Sequence, residues 1–337
     1  MPAGRSPVTP SPAPAVAAVR LAVRRLLTGL PGAGPVLVAC SGGPDSLALA
    51  AATAFVAPRL GRPAGLVTVD HGLQPGSVDR AEAVARWART AGFDPVEVVP
   101  VRVAGRPGGP EAAARTARYE ALVAAARRHD AAGVLLGHTR DDQAETVLLA
   151  LARGAGPRGL AGMPERRELD GVPLLRPLLD VARSDTRAAC AALGLSAWSD
   201  PHNTDPAYAR ARVRAEALPA LVAALGPGVV ANLARTARLL AADVTALDAL
   251  ADAALADVRA DGGGLAVDGL AALPAAVRTR VLHAWARELG AAPADLSHRH
   301  VAALDALVTG WRGQGPVHLP GGRQVRRQAG RLTAPGG

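Results

Sequence analysis

Short hydrophobic runs alternate with longer amphipathic stretches from about residue 35 onward. The hydrophobic runs predict four β-strands, at 36–40, 66–70, 96–101 and 134–137. Each run is followed by a stretch of helical length, at 46–57, 78–91, 110–129 and 141–153. A weaker strand–helix unit follows at 172–193. This pattern predicts an α/β fold with a doubly wound parallel sheet, in which the carboxyl ends of the strands form a ligand-binding edge.

A different pattern begins after the turn at 225–228, Leu-Gly-Pro-Gly. Apolar residues at helical spacing predict amphipathic helices at 229–258, 274–289 and 298–309. The first residues are rich in proline and predict a disordered arm. The sequence therefore predicts a disordered arm, an α/β domain, a helical domain and a basic C-terminal segment, with bounds 1–18, 19–224, 225–310 and 311–337.

The distribution of charge predicts a polyanionic partner. The formal net charge is +9, and all 38 basic residues are arginine because the chain contains no lysine. A lysine-dependent phosphate loop and a lysine Schiff base are therefore excluded, and any phosphate must be held by arginine, backbone N–H groups or metal. Residues 311–337 contain 5 arginines and no acidic residue, whereas 226–310 contain 7 arginines and 9 acidic residues.

Cysteine usage and hydropathy exclude further classes of protein. The chain has 2 cysteines, Cys40 and Cys190, each in apolar surroundings, so structural zinc and iron–sulfur centres are not expected. The N-terminus has no compact apolar segment, and the longest uncharged stretch, 26–44, is interrupted by proline and glycine. We therefore expect no membrane span and a cytoplasmic protein.

The sharpest motif is Ser41-Gly42-Gly43-Pro44-Asp45-Ser46, which follows the first predicted strand and opens a helix. Glycine lets backbone N–H groups turn toward an anion, and proline suits the first helical position. The helix dipole favours negative charge at this point. We therefore predict a phosphate cradle, with Asp45 holding Mg²⁺ beside the phosphates. The structural alternative is an ordinary helix start in which the two serines are solvated capping residues.

Three further motifs place polar residues near the same edge of the sheet. His71 ends the second strand, and Arg115 lies on the third helix, four residues after Glu111. A turn residue and a surface ion pair are the structural alternatives for these two sites. The last motif, residues 137–146, reads Gly-His-Thr-Arg-Asp-Asp-Gln-Ala-Glu-Thr.

The 137–146 motif gathers three carboxylates at the start of a helix. Asp141 and Glu145 share one helix face, with Asp142 adjacent. A capping box explains Thr139 and Asp142 but leaves Asp141, Glu145 and His138 unexplained. A cluster of carboxylates at this edge suits a metal ion or an ammonium group.

The Ser41–Ser46 motif resembles the signature of the PP-loop ATP pyrophosphatases, which cleave ATP to AMP and pyrophosphate. The four motifs together, with Arg-Pro-Leu-Leu at 176–179 and Asp-Pro-His-Asn-Thr-Asp at 200–205, resemble the tRNA(Ile)-lysidine synthetase family over about 35–222. The stretch 315–322 looks like the C-terminal part of compact members. One departure is Ala211, where members commonly carry asparagine.

This resemblance implies a two-step ligase reaction in which ATP adenylates the C2 oxygen of cytidine 34 in a CAU anticodon, and free lysine then displaces AMP. It implies that tRNA and lysine are substrates and that ATP and Mg²⁺ are required. The catalytic residues would be Asp45, Asp141, Asp142 and Glu145, with Ser41 to Ser46 binding ATP and Asp45 also binding the metal. The substrate-binding residues would be His71, Arg115, His138, Arg210, Arg212 and Arg214, and the basic segment 311–337 would contact tRNA.

Three alternatives remain at this stage. A tRNA thiolase would need a sulfur-relaying cysteine, and an ammonia-using synthetase would need a glutaminase domain or partner. The third alternative is an RNA-binding protein with an inactive nucleotide site. A Gly-x-Gly-x-x-Gly match at 154–159 does not predict a dinucleotide site, because it follows a predicted helix rather than a strand.

Overall fold

The structure is a computed structural model that describes residues 12–72, 74, 76–105, 109–198, 205–292 and 295–334. The chain divides into two compact units, Met1–Arg238 and Leu239–Gly337. Most of the predicted arm and most of the 200–205 motif lie outside the described residues, as does the side chain of Glu111.

The first unit is built on a six-stranded sheet with the order β3-β2-β1-β4-β6-β5. The strands are β1 (Val36–Ala39), β2 (Ala64–Asp70), β3 (Val96–Pro100), β4 (Gly133–Leu136), β5 (Arg166–Leu169) and β6 (Val172–Leu175). The predicted parallel strands are confirmed, while β5 pairs antiparallel with β6 at the edge of the sheet. Strand β5 was not predicted, because its charged, exposed residues lack the hydrophobic alternation of a buried strand.

Nine α-helices of the described residues belong wholly to this unit, and those predicted from the sequence are confirmed to within a few residues. They are α1 (Pro14–Thr28), α2 (Pro44–Val56), α3 (Ser77–Thr90), α4 (Gly109–Arg128), α5 (Arg140–Ala152), α6 (Pro157–Leu160), α7 (Arg183–Ala192), α8 (Ala209–Arg212) and α9 (Leu218–Leu225). A π-helical turn, Val213–Ala217, joins α8 to α9.

Helix α1 corrects the predicted disordered arm at 1–18. The helix begins at Pro14, which suits the first helical turn because it has no N–H to satisfy. Val16, Val19 and Val23 are buried and recur at the spacing of one helix face. Packing of this face therefore orders the chain several residues before the predicted boundary.

The sheet is covered on both faces, as the alternation of strands and helices predicts. Val36 and Val38 of β1 belong to a buried cluster shared with α1, α2 and α7, whereas Leu37 belongs to a second cluster shared with α4. Successive side chains of a strand point to opposite faces, so β1 contributes to both cores. The carboxyl ends of β1, β2, β4 and β6 are left to form a common edge.

The second unit combines helices with a small antiparallel sheet of order β7-β10-β9-β8. Helix α10 (Val229–Asp257) runs from the first unit into the second, after the Gly-Pro-Gly turn at 226–228 that ends α9. The other elements are α11 (Val267–Ala272), α12 (Ala275–Glu288), α13 (His298–Thr309), β7 (Leu265–Ala266), β8 (Val317–Leu319), β9 (Arg323–Gln328) and β10 (Arg331–Thr333). The three predicted helices are confirmed.

The basic C-terminal segment is not separate from the helical region, which corrects the boundary predicted after residue 310. Leu319, Val325 and Leu332 are buried in the same core as Trp285 and Leu304. More buried and more exposed positions alternate in β9 and β10, so Val325 and Leu332 join the core on one face of the sheet while the arginines lie at or near the surface. The net charge of the segment gave no indication of which positions are buried.

Length and hydropathy together decide whether a helix of the described residues could cross a membrane. No single helix among them has both the length and the apolar character required to cross a bilayer, although Ala209–Leu225 and Val229–Asp257, bent by 100°, meet those criteria as a pair.

Candidate active site

The loop between β1 and α2 is held in shape by its own serines and by Trp198. The Ser46 hydroxyl donates to the Gly43 carbonyl at 3.0 Å and accepts from the Ser41 N–H at 3.2 Å. The Trp198 N–H donates to the Gly42 carbonyl at 2.9 Å. Gly42 has φ +83°, a conformation that favours glycine, and an added Cβ would lie 3.0 Å from a Val84 methyl. The cradle is therefore fixed before any ligand binds.

Helix α2 begins at Pro44, as predicted, and its first turn lies against the end of β4. A Cβ added at Gly137 would lie 3.1 Å from both the Asp45 carbonyl carbon and the Ser46 nitrogen. A side chain at this position would therefore push the helix away from the sheet. The N–H groups of a first helical turn have no acceptor within the helix, so those of Asp45 and Ser46 can serve an anion.

Arg183, the first residue of α7, links the loop to the predicted acidic cluster. Its guanidinium lies 3.7 Å from Asp45 and donates to Asp142 at 2.8 Å and to Glu145 at 3.0 Å. Thr186, one turn further along α7, donates a hydrogen bond to the other Asp45 oxygen. One buried arginine thus gathers carboxylates from α2 and α5 into a single site.

Arg214, in the π-helical turn, contacts the same carboxylates. Its Nε donates to Glu145 Oε1 at 2.8 Å, and its Nη2 lies 3.1 Å from Glu145 Oε2 and 3.3 Å from Asp142 Oδ1. Glu145 is completely buried, whereas the Arg214 side chain is 31% exposed. Two members of the predicted acidic cluster, Asp142 and Glu145, therefore share the same two arginine partners, which neutralise them.

Three carboxylates, those of Asp45, Asp142 and Glu145, face these two guanidinium groups. Burial raises the pKa of Asp45 above its usual value, against the opposing effect of the Thr186 hydrogen bond. Burial would also raise the pKa of Asp142, but the Arg183 charge and hydrogen bonds from Thr139 lower it below its usual value. The site can thus attract one more cation, because negative charges outnumber positive ones when all three carboxyls are ionised.

Asp142 also completes the predicted capping box. Its Oδ2 accepts from the Thr139 N–H at 2.8 Å and from the Thr139 hydroxyl at 2.7 Å. Asp141 points elsewhere and accepts the backbone N–H of Arg183 at 2.8 Å. This contact satisfies the start of α7, so it positions Arg183 for its three carboxylate partners.

A second group of charges surrounds Tyr119, on α4. The guanidinium carbons of Arg115 and Arg118 lie 5.1 and 5.4 Å from the centre of the Tyr119 ring. Burial would raise the pKa of Tyr119, but the charges of Arg118, Arg115 and Arg176 lower it. Arg176 directly follows β6 and is 2% exposed.

His138, which follows the end of β4, lies next to this group of arginines. Burial lowers its pKa to about 3, against the opposing effect of Asp142, and the charges of Arg118 and Arg176 lower it further. The imidazole is therefore neutral at physiological pH. A neutral ring can donate from one nitrogen and accept at the other, which the charged ring cannot do.

The other predicted substrate-binding residues have varied surroundings. His71 follows β2, where the Asp70 carboxylate accepts the Gly72 N–H at 3.0 Å. Arg210 donates to the Thr146 hydroxyl on α5 at 3.2 Å. Arg212 is exposed and donates to the carbonyls at 206 and 207, at 2.6 and 3.0 Å. Of the three arginines in this stretch, only Arg214 reaches the acidic cluster.

Both cysteines are buried, as the apolar surroundings predict. Cys190 donates to the Pro44 carbonyl at 3.3 Å, and burial raises its pKa to about 11. Burial likewise raises the pKa of Cys40. A thiol in this state is a poor nucleophile at neutral pH, which argues against the thiolase alternative.

Arg183 and Thr186 were not predicted as site residues from the sequence, and Arg118, Tyr119 and Arg176 were predicted without a role. Arg183 carries no local signal, since its partners are 38 or more residues away in the sequence. Among the described residues, no group of three or more Asp, Glu, His or Cys side chains is arranged to hold a metal ion by itself. The carboxylate of Asp45 fits an ion that also takes phosphate oxygens as ligands.

Comparison with known proteins agrees with this geometry. Residues 19–221 match a family model described as PP-loop domain, and 265–333 match one described as TilS substrate binding domain. The U34-tRNA thiolase NcsA from Methanococcus maripaludis superposes with a TM-score of 0.53 over 67% of this chain and 80% of its own, at 20% identity. That similarity shows a shared fold. The fold and its loop thus define an ATP-utilising PP-loop protein.

Curated relatives narrow this class to one family. A tRNA(Ile)-lysidine synthase of Salinispora arenicola is 74% identical over 95% of this chain and 96% of its own length. Relatives of the same name from Thermobifida fusca and Streptomyces coelicolor are 60% and 56% identical over 95% and 96% of this chain, and 98% of their own lengths. The chain belongs to the tRNA(Ile)-lysidine synthase family, which confirms the resemblance found in the sequence.

The buried, neutral His138 predicts a specific pH dependence of stability. Its pKa of about 3 in the folded chain lies below the value of about 6.5 expected when unfolded, so its stabilising effect is present above pH 6.5 and lost as the pH falls toward 3. Between pH 7 and 5, we expect the free energy of unfolding, measured by chemical denaturation, to fall less in His138→Gln than in the wild type. His318→Gln, at an exposed position on β8, is the control. If the free energy of unfolding fell equally with pH in the wild type and in His138→Gln, a buried neutral imidazole would be contradicted.

Proposed function

We propose that this chain ligates free L-lysine to C2 of cytidine 34 in the CAU anticodon of an isoleucine tRNA, with cleavage of ATP to AMP and pyrophosphate. The observation that carries the proposal is the joining of the phosphate loop and the acidic cluster by Arg183, in a chain of the tRNA(Ile)-lysidine synthase family. The reaction needs both an ATP site and a cation site near one another. Since its substrates are tRNA and ATP, we also propose a cytoplasmic location.

The first step would transfer AMP to the C2 oxygen of the base. The loop from Ser41 to Ser46 and the first-turn N–H groups of α2 would hold the phosphates. Mg²⁺, bound by Asp45 and phosphate oxygens, would supply charge for the departing pyrophosphate. The base must leave its stack in the anticodon loop to reach this edge of the sheet.

The second step would be attack by the ε-amine of lysine at C2, and AMP would leave with the former C2 oxygen. The amine has an ordinary pKa near 10.4, so it arrives protonated and must lose a proton before it attacks. While no metal is bound to Asp45, the carboxylates of Asp45, Asp142 and Glu145 carry one more negative charge than Arg183 and Arg214 neutralise, which favours an arriving ammonium group. One of these carboxylates would then take the proton.

The function is tested by mass analysis of cytidine 34 after the chain is incubated with unmodified tRNA, ATP, Mg²⁺ and lysine. We expect a mass gain of one lysine less one water, and none when ATP or lysine is omitted. Asp45→Asn should abolish AMP formation because an amide cannot replace the charged ligand, while the exposed Asp79→Asn should not. An unmodified base with wild-type enzyme, or wild-type AMP formation by Asp45→Asn, would contradict the proposal.

Glu145→Gln separates the two steps of the reaction. If Glu145 serves lysine, the variant should still form adenylated tRNA but should stall before lysine attack, and the intermediate should accumulate in a single turnover. Loss of adenylation would instead assign the cluster to ATP or metal. Because Glu145 is buried and pairs with two arginines, melting of the variant must be compared with that of the exposed control Glu216→Gln.

We further propose that the exposed face of the C-terminal sheet contacts tRNA. Arg326 on β9 and Arg331 on β10 are exposed, and the register places each on the face opposite to buried Val325 and Leu332. Arg327 has a different role, because it donates to the carbonyls of Leu307 and Val308 at the end of α13. Arg326 and Arg331 therefore remain for phosphate contacts.

The double variant Arg326→Ala with Arg331→Ala should weaken tRNA binding and flatten its salt dependence. Each lost phosphate contact lowers the slope of log affinity against log salt by about 0.7–0.9. The control removes two exposed arginines of the same unit, with Arg287→Ala and Arg299→Ala. An unchanged slope with full tRNA affinity would show that these arginines are only solvated surface charges.

A further inference from the structure

The backbone of Trp198 contacts the phosphate loop, although Trp198 lies far from that loop in the sequence. Its N–H donates to the Gly42 carbonyl at 2.9 Å. A trans peptide group is planar, so the N–H of Gly43 points in the opposite direction to the Gly42 carbonyl. The bond from Trp198 therefore sets the direction of the Gly43 N–H, which is one of the donors that the loop can offer to a phosphate.

The indole ring of Trp198 is held by Arg80 on α3. The guanidinium carbon lies 4.3 Å from the centre of the ring, a distance at which a cation and the face of an indole attract one another. Both residues are half-buried, so water screens this attraction less than it would on an open surface. Arg80 Nη2 also lies 3.4 Å from Gln74 Oε1, in the connection between β2 and α3. Arg80 therefore links that connection to Trp198.

A second residue on the same face of α3 contacts the loop directly. Arg80 and Val84 are four residues apart in the helix, so their side chains are neighbours. A Cβ added at Gly42 would lie 3.0 Å from a Val84 methyl, which is tighter than an ordinary contact. Helix α3 thus supports Gly42 twice, directly through Val84 and indirectly through the contact of Arg80 with Trp198.

We propose that Trp198 and Arg80 act together as positioning residues for the binding of ATP. The contact between ring and guanidinium holds the Trp198 N–H against Gly42 and thereby keeps the Gly43 N–H directed toward the phosphates. This role rests on the proposed use of the loop for ATP. A loop arranged before the nucleotide arrives loses less conformational entropy on binding, so the pair acts on ATP affinity rather than on the chemical steps.

The test is binding of ATP with Mg²⁺, measured by calorimetry without tRNA or lysine, at a temperature at which each variant is folded. We expect Trp198→Ala and Arg80→Gln each to bind ATP about fivefold more weakly. Trp198→Phe should stay within about twofold of the wild type because it keeps an aromatic face. Arg86→Gln, at an exposed position on the same helix, is the control and should match the wild type. Arg80→Gln carries the test if Trp198→Ala does not fold.

The kinetics of AMP formation give a second measurement, with tRNA saturating. The KM for ATP should rise by the same factor in Trp198→Ala and Arg80→Gln, while kcat should change by less than about twofold. A pair that only stabilised the fold would lower the melting temperature and leave the ATP affinity of the folded protein unchanged. That outcome would overturn the proposal.

The double variant shows whether the two residues act as a unit. Trp198→Ala with Arg80→Gln should bind ATP about fivefold more weakly than the wild type, as each single variant does, because either change breaks the same contact. A loss of about 25-fold, the product of two independent effects, would overturn the coupling. The proposed function fails separately, if ATP binds to the wild type and the variants as expected but the wild type adds no lysine to cytidine 34.

Discussion

The ion cluster around Arg183 is the interaction on which the arrangement of the site depends. A single guanidinium reaches carboxylates from α2 and α5, and the backbone N–H of the same residue is held by Asp141. Arg183 is 9% exposed, so these charges interact in surroundings where water screens them little. Removing it would leave buried carboxylates without a counter-charge, which is far more costly than losing a surface ion pair. The phosphate loop and the acidic cluster are therefore parts of one electrostatic unit.

Local signals explain why much of this fold could be predicted from sequence. The strands β1 to β4 are short hydrophobic runs, and the start of α2 is marked by proline after two glycines, so their positions follow from nearby residues. The capping box joins Thr139 to Asp142, three positions further along the chain, and was predicted for the same reason. Spacing along the same helix predicted a cluster of Asp141, Asp142 and Glu145, of which Asp142 and Glu145 share the same arginine partners while Asp141 accepts the backbone N–H of Arg183. The spacing gave no indication that arginines neutralise the cluster. Arg183 and Arg214 come from elements 38 and 69 residues after Glu145 in the chain.

The organisation of the C-terminal segment could not be predicted from its composition. Its high density of arginine suggested a separate basic tail, whereas Val325 and Leu332 are completely buried between those arginines. A strand needs only every second residue to be apolar, so a two-residue period can be hidden by the net charge of the segment. The structure also divides the arginines by role. Arg327 satisfies carbonyls at the end of α13, while Arg326 is left at the surface.

The absence of lysine from the chain bears on how the site would recognise the proposed lysine substrate. Guanidinium groups keep their charge at any pH at which the protein is folded. The positive charges of Arg183 and Arg214 therefore stay constant, while the protonation of the carboxylates and of His138 can change with pH. A guanidinium is planar and binds carboxylates through two donors, as Arg214 binds Glu145. An ammonium group is compact and has three donors. Under the proposed function, an arriving lysine would therefore bring an ammonium group that no side chain of this protein carries, and the carboxylates of the cluster would meet it without competition from another side-chain ammonium.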